Sequence, residues 1–314
     1  MDVLVLGGGA MGSLFAAHLA GGGHAVTLLD RHDDHVAAVR ERGLELVTPE
    51  GDSRRVSLDA TSDPGDAPVA DLLLVCVKTY ETDDALASTG PCRDGETLVL
   101  TLQNGLGNAE TVAGHVPRSN VLAGTTAHGA TREGPGRVRH AGRGPTRLGR
   151  YFGENDRRVR AVADALTASG VETDVVADVR DAVWEKVLVN VGINAATALA
   201  RVPNGALAER DPGRRLATAA VEEAAAVARA EGRDVPADPV AETLAVARRT
   251  ATNVSSMRAD LERGERTEVE ALHGAVAERA DQRGVAVPVN RTLADLVRLA
   301  EPPGHSDSGG RGQS

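Results

Sequence analysis

Lys78 and Lys186 are the only lysines among 35 basic residues; the other 33 are arginines. Lysine is normally one of the commonest residues. A guanidinium can hold a negative charge but cannot release a proton near neutral pH, whereas an ammonium in a dry setting can. The two lysines therefore mark candidate positions where arginine would fail, and proton donation is the chemistry arginine cannot supply. Chance survival in an arginine-biased chain would give the same count without function.

Around Lys186 the spacing is informative. Lys186, Asn190 and Asn194 recur every four residues, which puts one proton donor and two amides on a single helix face. Their neighbours Val187, Leu188, Val189, Val191 and Ile193 are apolar, so the face is expected to be buried, where polar groups need partners or a ligand. Interhelical hydrogen bonds would meet the same need. A second group is Asn253, Ser255, Ser256 and Glu268. The stretch 253–256 reads as the end of one helix and the cap of the next. Glu268 is expected to open a further helix, where the dipole favours an acid, and that role alone would account for it.

The run Gly7-Gly8-Gly9-Ala10-Met11-Gly12 is a G-x-G-x-x-G placed between a strand and a helix, the context a dinucleotide site requires. Gly7 permits the tight turn, Gly9 removes a side chain that would block the pyrophosphate, and Gly12 lets helix and strand pack closely. The first turn, with Ala10 and Met11, offers unpaired N–H groups to phosphate. Eighteen residues on, Asp30 could accept hydrogen bonds from the ribose hydroxyls of NAD and would repel a 2′-phosphate. Its neighbour Arg31 could pair with that phosphate and favour NADP. The two residues point to opposite cofactors.

The elements that must position these groups follow from periodicity. Apolar runs at 3–6, 25–29, 72–77 and 97–102 read as strands, and 11–20 and 33–43 as helices, so a parallel, doubly wound sheet is expected. Ligands bind beyond the carboxyl ends of such strands. Lys78 and Asn104 fall there, although Asn104-Gly105 is equally a plain turn pair. The stretch 124–153, rich in Gly, Thr and Arg, reads as irregular strands and loops at the sheet's far edge. From about residue 178 the spacing becomes helical, at 183–199, 214–231, 240–254, 269–283 and 292–300. The expected organisation is a Rossmann-type α/β domain at 1–178, an all-helical domain at 179–302, and a disordered tail at 303–314.

The chain's 45 acidic residues against 35 basic give a net charge of −10, which disfavours nucleic acid and anionic membrane as partners. The same surplus suits a salt-adapted surface, a hypothesis that fails if molar KCl leaves stability unchanged. No run approaches the ~20 apolar residues of a membrane span, and no basic leader precedes the first strand. Cys76 and Cys92 cannot form a disulfide framework, and no metal-ligand spacing is present, so a cytoplasmic location and no metal are the expectations. The helical half could supply the face of a homodimer.

Over about residues 1–300 the chain resembles ketopantoate reductases (2-dehydropantoate 2-reductases). The resemblance is carried by Gly7–Gly12, Cys76-Val77-Lys78-Thr79, Gln103-Asn104-Gly105, Trp184-Glu185-Lys186 with Asn190 and Asn194, Ser255-Ser256-Met257, and Thr267-Glu268-Val269-Glu270. It implies hydride transfer from NADPH to the C2 ketone of a small 2-oxoacid, making pantoate for pantothenate and coenzyme A. It implies Lys186 as general acid and Glu268 as a contact of the reacting hydroxyl. Asn190, Asn194, Asn253 and Ser256 become substrate contacts, and Lys78 and Asn104 lie near the nicotinamide ribose and substrate. Two departures stand out. Asp30 replaces the family's usual small residue, which leaves NADH open. Glu270-Ala271-Leu272-His273 stands where relatives often carry Asp-Tyr-Ile-Asn. The alternatives are a reductase of the same fold for another branched 2-oxoacid, and a non-catalytic dinucleotide-binding regulator, in which the proton donor would have no use.

Overall fold

Short branched-aliphatic runs become strands where both of their faces are covered. The strands in chain order are β1 (Asp2–Leu6), β2 (Ala25–Leu29), β3 (Leu44–Val47), β4 (Ser53–Val56), β5 (Asp59–Thr61), β6 (Leu72–Val75), β7 (Leu98–Thr101), β8 (Val121–Thr126), β9 (Gly129–Gly134), β10 (Arg137–Gly142), β11 (Thr146–Arg150) and β12 (Thr173–Val175). The helices are α1 (Ala10–Gly21), α2 (Asp33–Arg42), α3 (Thr82–Ser88), α4 (Asn108–Val112), α5 (Arg157–Ala168), α6 (Val179–Ala200), α7 (Gly205–Glu209), α8 (Asp211–Ala230), α9 (Pro239–Arg249), α10 (Ser256–Glu262), α11 (Ala275–Arg283) and α12 (Pro288–Ala300). The computed structural model describes residues 1–302, so the expected tail lies outside the described residues. Two compact units result. One is Met1–Gln103 with Gly107–Val183; the other is Asn104–Leu106 with the described residues from Trp184 on.

In the first unit an eight-stranded sheet runs β12-β11-β8-β7-β6-β1-β2-β5. Its pairings are parallel except β8 with β11. The order reverses beside β1, which is where a doubly wound sheet opens a crevice at its strand ends. Leu72, Leu73, Leu74 and Val75 of β6 are all almost fully buried, as a strand covered on both faces requires.

The stretch 124–153 differs from expectation. β8 and β11 do lie toward the large sheet's edge, but β9 and β10 join β3 and β4 in a separate sheet ordered β4-β3-β10-β9. That sheet closes over α1: Leu44, Leu46 and Val138 share one core with Leu14, Phe15 and Leu19 of α1 and with Val3, Val5 and Leu28 of the large sheet. Helix α1 is thus covered all round, which its sequence, apolar on every face, requires.

The second unit is helical. Beyond the expected segments it contains the short α7 and α10, and the expected helix 240–254 stops at Arg249. Glu268 does not open an α-helix. It precedes a single π-helical turn, Glu270–Gly274, that runs into α11, with Gly274 N–H bonded to the Val269 carbonyl.

Candidate active site

The glycine run occupies the switch point beside β1. Gly7 has φ +102°, and a Cβ there would meet the Val77 backbone at 2.8 Å. A Cβ on Gly12 would lie 1.8 Å from the Gly7 carbonyl, so helix and turn interlock only without side chains. Gly9 is different: a Cβ there would have nothing within 4 Å. It is the N-cap of α1, with no side chain capping the first turn and no acidic residue in it. An open glycine before uncapped helical N–H groups, Ala10 and Met11 among them, fits the pyrophosphate of a dinucleotide.

At the end of β2, Asp30 is only 7% exposed. Its carboxylate accepts from the Gly8 N–H, from the His32 N–H at 2.7 Å and from the His32 ring at 2.6 Å. Burial alone would raise its pKa, yet these donors hold it below the usual carboxylate value. Arg31 is the reverse case. Its side chain is 73% exposed and pairs with Glu81.

Strand β6 ends at Val75, two residues before the expected boundary, so Lys78 does not follow it directly. It caps a short 3₁₀ turn, Thr79–Glu81, and is half-buried. Gln103, beyond β7, is bonded to the Val77 carbonyl at 2.7 Å and to Thr82 at 2.8 Å, which fixes the start of the next loop.

In the second unit, α6 carries Lys186, Asn190 and Asn194 on one face as the spacing predicts. Val187, Leu188, Val191 and Ile193 are buried beside them, and Asn194 is 7% exposed. Lys186 is half-buried. Desolvation lowers its pKa from 10.5 to about 8, against the Glu268 carboxylate, which pulls it upward. Glu268 in turn accepts from the Asn104 amide at 3.2 Å. That contact needs the 104–106 loop to sit on the π-turn, and the backbone shows how: the Leu106 N–H donates to the Ala271 carbonyl at 2.8 Å. Gly105 has φ +90°, and a Cβ on it would lie 2.3 Å from that same oxygen. Asn104-Gly105 is therefore a turn, and also the means by which Asn104 reaches Glu268.

Asn253 and Ser256 are both exposed. The buried member of the serine pair is Ser255. It caps α10, accepting from the Arg258 N–H at 3.3 Å, and lies 2.8 Å from the Thr197 hydroxyl on α6. The family resemblance implies Ser256 as the substrate contact; the cap expected in the stretch 253–256 is Ser255, a structural tie. Among the described residues no group of three or more His, Cys, Asp or Glu could hold a metal ion, and no helix is long and apolar enough to cross a membrane.

A doubly wound sheet with an open glycine loop at its switch point, together with a desolvated ammonium beside a carboxylate, defines a nicotinamide-dinucleotide-dependent oxidoreductase. Comparison with known proteins narrows the class. Residues 3–153 match the model of the family described as ketopantoate reductase PanE/ApbA, and residues 178–301 match that of its C-terminal part. A 2-dehydropantoate 2-reductase of Halobacterium salinarum is 56% identical over 304 residues, 97% of this chain and all of that one. The crystal structure of a PanE/ApbA family ketopantoate reductase from Ralstonia eutropha has a TM-score of 0.88 at 36% identity, covering 96% of this chain and 98% of that one. A D-mandelate dehydrogenase, solved with NADH and anilino(oxo)acetate, has a TM-score of 0.88 at 27% identity, with the same coverage. The chain belongs to the ketopantoate reductase family.

Proposed function

We propose that this chain reduces the C2 ketone of 2-dehydropantoate to pantoate, the step that feeds pantothenate and coenzyme A synthesis. The observation that carries this reading is the face of α6 on which Lys186, Asn190 and Asn194 stand one turn apart among buried Val187, Leu188 and Val191, with desolvation lowering the pKa of Lys186 to about 8 against the pull of Glu268. When bound, the reduced nicotinamide supplies the hydride. As charge builds on the carbonyl oxygen, Lys186 stabilises it and then delivers a proton; a guanidinium could do only the first. A donor with a pKa near 8 is still mostly protonated at neutral pH and gives its proton up far more readily than an ordinary lysine. Glu268 keeps the ammonium charged against the burial that would neutralise it. Asn104 orients Glu268, and Asn190 and Asn194 hold the substrate carboxylate without adding a competing cation. Lys78, Asn253 and Ser256 remain contacts proposed by family resemblance.

For the cofactor we infer NADPH. Asp30, the residue that would select NADH, has both carboxylate oxygens engaged by Gly8 and His32, while the Arg31 guanidinium faces solvent, where a 2′-phosphate can displace Glu81. A second reading, reduction of another branched or aromatic 2-oxoacid, is favoured by one observation: a chain of the same fold is a D-mandelate dehydrogenase. Steady-state oxidation of NADPH and of NADH with 2-dehydropantoate and a series of 2-oxoacids tests all of this. The expected result is the highest kcat/KM with 2-dehydropantoate and NADPH. No turnover of any 2-oxoacid with either cofactor would leave only a dinucleotide-binding regulator.

A further inference from the structure

The glycine loop is held by a relay of polar groups that the reading above leaves unused. Ser13, one residue past Gly12 on α1, and His35 on α2 are both 0% exposed. The Gly136 N–H, in the turn between β9 and β10, donates to Nδ1 of His35 at 3.1 Å. A backbone N–H can only donate, so Nδ1 carries the lone pair and the ring proton sits on Nε2. That Nε2–H faces Ser13 Oγ at 3.2 Å. The Ser13 hydroxyl proton is then directed to the Gly8 carbonyl, 3.0 Å away. On the other side the Gly8 N–H is held by Asp30. The peptide groups flanking Gly8 are thus fixed from two directions, and the next N–H groups in the chain open α1. The His35 ring also lies against the loop, since a Cβ on Gly8 would meet its Cδ2 at 2.9 Å.

The far end of the relay is anchored as well. The Gly136 carbonyl accepts from the Glu45 N–H at 2.9 Å, which ties the turn to β3. The charged groups acting on His35 are Arg132, His32, Asp30 and Asp34, the last also accepting from the His35 N–H at 2.8 Å. Burial is the largest influence and keeps the ring neutral by lowering its pKa below 6.5. A proton on Nδ1 would set two donors face to face and open the relay at Gly136.

We propose that Ser13 and His35 are positioning residues for the dinucleotide: by fixing the Gly8 carbonyl they aim the N–H groups at the start of α1 toward the pyrophosphate, and so set cofactor affinity without touching the cofactor. The proposal rests on the reading of the 7–12 loop as the dinucleotide site. The test is the dissociation constant of NADPH and of NADH, read from the fluorescence of the reduced nicotinamide, together with kcat at saturating cofactor and thermal stability of each variant.

Ser13→Ala is expected to weaken both cofactors about tenfold, because it leaves the Gly8 carbonyl and the His35 N–H without partners, with kcat within about twofold. The two amide replacements of His35 separate aiming from mere packing. Gln places an amide nitrogen where Nε2 was and keeps the bond to Ser13; Asn places its oxygen where Nδ1 was and keeps only the bond from Gly136. His35→Gln should therefore retain most of the affinity that His35→Asn loses. Folded Ser13→Ala that binds within twofold of wild type overturns the relay, as do equal losses in the Gln and Asn variants that simply track their melting temperatures. A wild-type chain that bound neither cofactor would instead end the reading of the loop itself, and this proposal with it.

Discussion

The glycine loop and the Lys186 face both withdraw polar groups from water, fully at Ser13 and His35 and partly at Lys186, and the same desolvation has opposite uses in them. Around the loop, Gly136, His35, Ser13, Gly8 and Asp30 form a chain in which each donor meets an acceptor. Burial there keeps a histidine neutral and a loop fixed. On α6, burial acts on an ammonium, and it moves the proton affinity of Lys186 to about 8 while Glu268 opposes the shift. In the roles proposed for them, one region holds a shape and the other holds a proton ready to leave. The comparison is sharpened by changes that should affect one region and spare the other.

The largest effect should come from Lys186→Arg. The positive charge remains, but proton donation is lost, and general-acid catalysis contributes roughly 10²–10⁴-fold. A fall in kcat of that size is expected, with the dissociation constant of NADPH unchanged because the glycine loop is untouched. A variant that kept more than about a tenth of wild-type kcat would show that charge alone suffices and would remove the distinction between the two regions.

The next effect is on pH. If Lys186 is the proton donor proposed above, its protonated form is the active one for reduction, and kcat should fall as pH rises through about 8, approaching tenfold per unit. Stability should move the other way. The folded pKa of Lys186 lies below its ordinary 10.5, so between about 8 and 10.5 the unfolded chain binds more protons than the folded one. Stability contributed by this group then rises with pH across that window. Denaturant midpoints measured for wild type and Lys186→Met at pH 7.5 and 10 isolate the group. If wild type gained no stability relative to the variant, the ammonium is not desolvated.

Arg31→Ala sharpens the comparison at the cofactor end. Loss of one exposed charge-assisted pair to a 2′-phosphate should cut kcat/KM for NADPH about tenfold and leave NADH within twofold. Equal losses with both cofactors would mean that Arg31 does not read the 2′-phosphate.

These effects also divide what was legible in the sequence from what was not. The loop at 7–12 and the Lys186–Asn190–Asn194 face were readable because each depends on spacing within one or two turns of chain. The second sheet was not. β4 is Ser53-Arg54-Arg55-Val56 and carries no apolar run, and β3 pairs with β10 some ninety residues away. The Asn104–Glu268 contact joins residues 164 apart, and His35 meets Gly136 across 101. Spacing cannot report such pairs, because they exist only after the elements have packed. Glu268 was assigned by dipole to an α-helical start, and the π-turn that follows places it beside Asn104 instead.

The smallest expected effect tests whether α6 is held in place by contacts away from Lys186. The Thr197 hydroxyl already donates to the Ile193 carbonyl at 2.8 Å, so the Ser255 hydroxyl must donate to Thr197 while its oxygen accepts the Arg258 N–H. One side chain thereby caps α10 and ties it to α6. Ser255→Ala removes both bonds and should cost about 1–2 kcal/mol of stability in denaturant unfolding. Lys186 sits three turns back along α6, so a rigid helix would transmit little of this change and kcat should stay within about threefold, with the pH at which kcat falls unmoved. Ser256→Ala, on an exposed side chain, should leave stability within about 0.5 kcal/mol. If Ser255→Ala shifted the pH profile, the proton affinity of Lys186 would depend on how α10 braces α6 as well as on Glu268 and local burial, and the proton-holding region would be as shape-dependent as the loop.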